Sequence, residues 1–109
     1  MLEAIAMCLA TVVHDGDSLR CEGERIRIMN IDAPELPGSP KCDRGRNGWC
    51  DHQKGYQARN ALSAFVSSGR VTINRAGADR YGRTLARVSV NGRDAGEYLV
   101  SRGLARPWH

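Results

Sequence analysis

Glycine turn signals set between short extended runs constrain this chain more than any other feature. Asp15-Gly16, Glu22-Gly23 and Asn91-Gly92 each separate segments too short to stand as helices, and such pairs favour tight hairpin turns. Residues 4–13 (AIAMCLATVV) read as one strand, and SLRC resumes an extended run after the Asp-Gly turn. Beyond Glu22-Gly23, Ile26 and Ile28 alternate with Arg25 and Arg27, as expected of a strand with one buried face. The alternation breaks at Met29, where a bulge or burial on both faces is expected. Val71, Thr72 and Ile73 form a further short strand, AGADRYG a loop, and RTLARVSV another alternating strand.

Helical periodicity occurs in two places. Residues 32–51 hold three prolines and three glycines without periodicity, which predicts a long loop with a functional role or a covalent tie. Asp51 then caps a helix whose Ala58, Ala61, Leu62, Phe65 and Val66 follow an apolar stripe, with Gly69 ending it. Asp94 and Glu97 stand three apart at the head of a second helix that stops at Gly103. The order is three strands, a helix, two strands and a helix. It predicts an α+β, mainly β chain: a five-stranded Greek-key barrel of the OB type, forming a single domain over residues 1–109.

The formal net charge of +4 favours encounter with polyanions, although charge alone does not specify a nucleic-acid partner. No apolar run approaches the roughly 18 residues of a membrane-spanning helix. The first ten residues also lack the basic start and long apolar core of a secretory leader, and a start and finish close to the expected domain edges would suit a trimmed or mature form. Four cysteines allow three disulfide pairings. Local bridging of Cys42 to Cys50, and of Cys8 to Cys21 across the hairpin, is the simplest, and the first bridge stabilises by roughly 2–3 kcal/mol in the chain-entropy model. A zinc site from Cys42, Cys50 and His52, or four free thiols, are the alternatives.

Three polar segments carry the chemistry: DGD at 15–17, RIMNIDAPE at 27–35 and DRYGR at 79–83. Mixed carboxylates and guanidinium groups suit phosphoryl chemistry, in which acids hold a metal and arginines hold phosphate oxygens. Asp17 and Asp32 are the expected ligands of a hard divalent cation, with the Ala33 carbonyl available beside them. Pro34 fixes the path from Asp32 to Glu35, and Glu35 is the expected general base. Arg27, inside a barrel strand, must be compensated if buried, and Arg83 opens a strand with a guanidinium fork suited to phosphate. Each residue alone has an ordinary structural explanation as a turn, a surface charge or a salt bridge. All five together are much harder to explain that way.

From residue 4 to 106 the chain resembles the staphylococcal nuclease, or thermonuclease-like, family, in the stretches VVHDGDSL, RIRIMNIDAPE, DRYGRTLARV and LVSRGLARPW taken in order. The resemblance implies an OB-fold nuclease that binds one calcium ion through Asp17, Asp32 and the Ala33 carbonyl. It implies that Glu35 activates water, that Arg27 and Arg83 stabilise the five-coordinate phosphorus, and that 3′-phosphate ends are left on DNA or RNA. Asp15 would be a hairpin or outer residue rather than a ligand, and Arg80 and Tyr81 would contact a terminal phosphate. The resemblance and the cysteines together imply an extracytoplasmic monomer with no obligate protein partner.

Departures from the family pattern are also present. Ala33 stands where members often have Thr, and the cysteine pair is absent from the type member. Lys41, Arg44 and Arg46 in the cysteine loop are further phosphate-binding candidates, or solvated charge. The chain ends at His109, before the stacking tyrosines and third helix of longer relatives, so a weaker grip or lower stability is expected, with Trp108 as a substitute stacking face. A nucleic-acid-binding module without catalysis is the runner-up, and the intact set of acid, base and arginines argues against it. A disulfide-tied scaffold would leave Arg27 and Asp32 without a reason.

Overall fold

The computed structural model describes residues 5–43 and 49–108. Among them run strands β1 (Ile5–Cys8), β2 (Thr11–Asp15), β3 (Ser18–Cys21), β4 (Glu24–Ile28) and β5 (Ile31–Asp32), followed by helices α1 (Pro40–Asp43) and α2 (His52–Val66). Strands β6 (Val71–Ala78), β7 (Thr84–Val90) and β8 (Arg93–Asp94), helix α3 (Ala95–Ser101) and strand β9 (Arg106–Pro107) complete the order. The main sheet runs β1-β6-β7-β4-β3-β2, with β8 on β7, and β5 pairs separately with β9. Its two edges, β1 and β2, are consecutive in the chain and separated only by Leu9 and Ala10. The first strand therefore bends and curls the sheet toward closure, giving the expected mainly β, OB-like half-barrel.

Local signals account for much of this. Glu22-Gly23 and Asn91-Gly92 both hold two successive positive φ angles, as two-residue hairpin turns require. Asp51 caps α2 by accepting the Lys54 amide, and Asp94 caps α3 by accepting that of Glu97. Pro40 opens α1 at a position where its missing N–H costs nothing.

Several expectations are corrected. Residues 4–13 are not one strand: β1 pairs with β6 while β2 pairs with β3, and the chain must break its direction at Leu9 and Ala10 to serve both. The irregularity at Met29 is a turn over Met29 and Asn30, not a bulge, because the Arg27 guanidinium binds the carbonyls of Ile28 and Ile31 on either side of it. Strand β6 continues past Ile73 to Ala78, with a register shift between Arg75 and Gly77, since β7 supplies partners along that whole length. Helix α2 ends at Val66 rather than near Gly69, where the amide and hydroxyl of Ser67 both return to the Ser63 carbonyl. The five expected strands thus become nine among the described residues.

Leu19, Ile26, Ile28, Ile73, Val88, Leu62 and Leu99 form the buried centre. Each side chain of this kind contributes about 1.5–3 kcal/mol on burial, so these few outweigh any surface pair. Helix α2 packs on β2 and reaches α3, where the rings of Phe65 and Tyr98 stack 4.6 Å apart. Both expected disulfides are present, Cys8–Cys21 and Cys42–Cys50, which excludes the zinc site and the free thiols. Among the described residues no helix is long and apolar enough to cross a membrane.

Glu24 ties three strands together. It accepts two hydrogen bonds from the Arg75 guanidinium of β6 and one from the Thr84 hydroxyl of β7. The Arg75 bonds, then that of Thr84, pull its carboxyl down from 4.5 to about 2. A depressed carboxylate stabilises above the unfolded value and loses that contribution as pH falls through the folded one. Because a third of each side chain meets water, the pair contributes about 1 kcal/mol rather than the larger amount such a shift suggests. Urea titrations of wild type and Glu24→Gln should therefore differ by about 1 kcal/mol at pH 7 and converge between pH 4.5 and 2.

Candidate active site

Asp17 lies in the β2–β3 turn with 7% of its surface exposed. The neighbouring Asp15 carboxylate holds this turn, accepting the Asp17 amide at 3.2 Å and the Ser18 hydroxyl at 2.7 Å. Asp17 Oδ2 in turn accepts the amide of Ala33 at 3.0 Å and stands 3.6 Å from the Arg27 guanidinium. The hairpin turn, strand β4 and the segment after β5 therefore meet at one carboxylate. Burial and then the Asp15 charge push the Asp17 carboxyl up to about 7, against the opposing pull of Arg27 and the Ala33 amide. The positive charge already present does not compensate it fully.

Asp32 is as buried as Asp17, and its Oδ2 receives both Nε (2.9 Å) and Nη2 (2.8 Å) of Arg106. The two residues face each other across the β5–β9 pair. Arg106 also lies over the Trp49 ring, 5.1 Å from its centroid. Trp49 precedes Cys50, and its carbonyl accepts the Glu35 amide at 2.7 Å. The Cys42–Cys50 bridge thus helps fix the backbone of Glu35, a role that loop composition alone did not suggest.

Among the described residues, none donates to Oδ1 of Asp17, to Oδ1 of Asp32 or to the Ala33 carbonyl, and neither Oδ1 is sealed from solvent. Two carboxylate oxygens and one carbonyl are the donor chemistry a hard divalent cation takes. The only tight cluster of three acid, imidazole or thiol groups among the described residues is Cys8, Cys21 and Glu22, and its sulfurs are consumed in a disulfide. An Asp17–Asp32–Ala33 set does not require such a cluster, because its third donor is a backbone oxygen.

Glu35 keeps 12% of its side chain exposed, accepts the Ser39 hydroxyl at 2.7 Å and lies 4.0 Å from the Lys41 ammonium. With His14 and Asp15 it borders a small cleft beside the hairpin turn. A separate cavity of about 440 Å³ brings together Arg27, Arg83, Arg80, Tyr81, Lys41 and Trp108. Arg83 is anchored to Asp79 through Nε at 2.8 Å, and Arg80 stacks on Tyr81 while donating to its hydroxyl. Burial pushes the Asp79 carboxyl up, but the amides of Arg83 and Tyr81 and the Arg83 guanidinium outweigh it and hold it below the usual range. Lys41 borders this cavity and also faces Glu35, so it connects the two areas. Arg44 and Arg46 lie outside the described residues.

Arg106, Asp79, Trp49 and two glycines are the participants that sequence reading missed. A Cβ on Gly16 would fall 2.7 Å from the Cβ atoms of both Ala33 and Ala58, and one on Gly55 would fall 2.6 Å from the Glu35 carbonyl oxygen. Glycine inside the α2 pattern was the available signal, since it normally marks a close backbone approach. Alanine gains about 1 kcal/mol over glycine in a helix, whereas overpacking against backbone costs about 1–3 kcal/mol. The clash should prevail: Gly55→Ala should lower the urea midpoint and shift the Pro34 and Glu35 amide resonances, while an unchanged or raised midpoint would show that the loop yields freely.

The sequence model of the family described as "Staphylococcal nuclease homologue" matches residues 25–109. Succinoglycan biosynthesis protein ExoI of Rhizobium meliloti is 36% identical over 95 residues, covering 85% of this chain and 48% of that protein. A protein named "Uncharacterized endonuclease" from Haemophilus influenzae is 29% identical over 103 residues, covering 90% of this chain and 50% of its own length. One of the same name from Escherichia coli O157:H7 is 33% identical over 98 residues, with 85% and 55% covered. The chain spans about half the length of these curated relatives. With most of the chain matched and the Asp17, Arg27 and Ala33 junction in place, the chain belongs to the staphylococcal nuclease homologue family.

Proposed function

We propose that the chain is a calcium-dependent nuclease that hydrolyses phosphodiester bonds of DNA or RNA and leaves 3′-phosphate ends. The family description and the endonuclease names of two relatives support the reaction class. The observation that carries the site is the Asp17 carboxylate, buried, underneutralised and joined to both Ala33 and Arg27. Asp17, Asp32 and the Ala33 carbonyl would hold calcium, which when bound supplies fixed positive charge against the phosphate oxygens.

The residues of the chain divide the remaining work. Glu35 takes a proton from the attacking water, whose oxygen bonds to phosphorus while the 5′-oxygen departs with the bonding pair and is protonated from solvent. Arg27 and Arg83 donate to the oxygens on which negative charge grows, and their ties to carbonyls and to Asp79 fix the guanidinium planes beforehand. Arg80 and Tyr81 hold a terminal phosphate at the same cavity, with Lys41 and Trp108 at its border. Asp15 supports the turn rather than binding the ion. Two disulfides support an oxidising, extracytoplasmic setting, and the domain would act as a monomer.

The pairing of Asp32 with Arg106 and of Arg83 with Asp79 favours a second reading, a module that binds nucleic acid without cutting it. Incubation with single- and double-stranded DNA separates the two. Cutting in calcium that stops in excess chelator, and that Glu35→Gln lowers about 10²–10⁴-fold in kcat/KM, is the expected result. Retention of DNA without cutting would establish the binder, and cutting that Glu35→Gln leaves intact would remove Glu35 from the mechanism.

A further inference from the structure

Strand pairing sets a row of arginines on one face of the sheet. Ser18 lies opposite Arg27 and Arg20 opposite Arg25 in the β3–β4 register, while Leu19 and Ile26 between them point into the core. Arg20, Arg25 and Arg27 thus share the outer face, with Arg83 just before the adjoining β7. Like charges directly opposite on paired strands repel. Yet among the described residues neither Arg20 nor Arg25 forms an ion pair, and their hydrogen bonds go only to the carbonyls of Gly23 and Tyr81.

These side chains border a cavity of about 290 Å³ that His14, Ser18 and Arg83 also line, with no carboxylate in its lining among the described residues. Arg83 also lines the cavity that holds Arg27 and Tyr81, so the two adjoin at that residue. A self-repelling cationic pair without an acid partner, continuous with a phosphate-directed cavity, calls for a run of anions.

We infer that this groove is a second phosphate-binding subsite, which carries the sugar–phosphate backbone of one nucleic-acid strand from the cavity at Arg83 across β4 and β3 past Arg25 and Arg20. The inference rests on the nuclease reading and extends it by assigning the substrate's path. A groove that among the described residues offers no side-chain amide, and whose adjoining cavity offers only the stacking rings of Tyr81 and Trp108, tracks phosphates rather than reading bases, so the contact is independent of sequence. A volume of about 290 Å³ suits one strand rather than a duplex.

Binding of an oligothymidylate of about 12 nucleotides, followed by fluorescence anisotropy in excess chelator over a series of salt concentrations, tests the path separately from cutting. Each phosphate contact on a single strand adds about 0.7 to the slope of log K against log salt. Arg20→Ala combined with Arg25→Ala should reduce the slope by about 1.4, and Arg20→Ala alone, which leaves the Tyr81 loop untouched, by about 0.7. Arg70→Ala with Arg102→Ala removes the same charge from residues that line neither cavity and should leave the slope at the wild-type value. Equal slopes in all variants, equal losses in groove and control variants, or no binding by wild type would overturn the path. Groove-dependent binding by a protein that never cuts in calcium would sink the nuclease reading and uphold the subsite, whereas cutting with an unaltered slope would do the reverse.

Discussion

A carboxylate that is buried before it is neutralised organises this molecule. Asp17 gathers the β2–β3 turn, the Arg27 guanidinium and the Ala33 amide around a single oxygen, yet its proton affinity stays high because burial and Asp15 outweigh those partners. The unfolded chain releases this proton near 3.8 and the folded one near 7, so folding loses stability as pH rises through that interval and carries the full penalty above it. The cation proposed for this site would relieve the same penalty. The stress in the fold and the chemistry proposed for it thus have one source.

Positioning of the other groups follows from contacts that leave little freedom. Gly16 lets the turn come down on Ala33 and Ala58, and Gly55 lets α2 press on the Glu35 carbonyl. On the other side the Cys42–Cys50 bridge holds the segment whose Trp49 carbonyl takes the Glu35 amide and whose ring faces Arg106. The backbone at Glu35 is thereby held from both sides. The role of general base proposed for Glu35 would need such a fixed backbone for its carboxylate to meet water at a constant distance.

Local features were legible in the sequence because their causes are local. Alternation in ERIRI, the Asn91-Gly92 turn and the Asp51 and Asp94 caps each depend on residues within a few positions of one another. The Asp32–Arg106 pair was not legible, since its partners are 74 residues apart and meet only through β5 and β9. The break at Met29 was visible, but its form was not, because a turn capped by the side chain of Arg27 looks like a bulge in a pattern of apolar residues. The bend between β1 and β2 was hidden for a similar reason: continuous β propensity says nothing of a strand that must serve two neighbours. Asp17, Asp32, Glu35, Arg27 and Arg83 were singled out by motif, whereas the contacts that hold them, from Arg106, Asp79, Trp49 and Gly55, became apparent only in three dimensions.

Charge around the site is arranged in two ways. Arg27, Arg83 and Arg106 each face an acid, while among the described residues Arg20 and Arg25, on the outer face, bond only to carbonyls. In the proposed mechanism Arg27 and Arg83 would meet the charge developing at one phosphorus, and Arg20 and Arg25 would follow a strand passing by. Everything depends on whether Asp17 serves a cation. The most direct measurement is the thermal midpoint of wild type and Asp17→Asn at pH 8, in chelator and in calcium. The account predicts that calcium at a hundredfold excess over its Kd stabilises wild type by about 2.7 kcal/mol and leaves Asp17→Asn unmoved. Equal shifts in both proteins, or no shift in wild type at millimolar calcium, would contradict it.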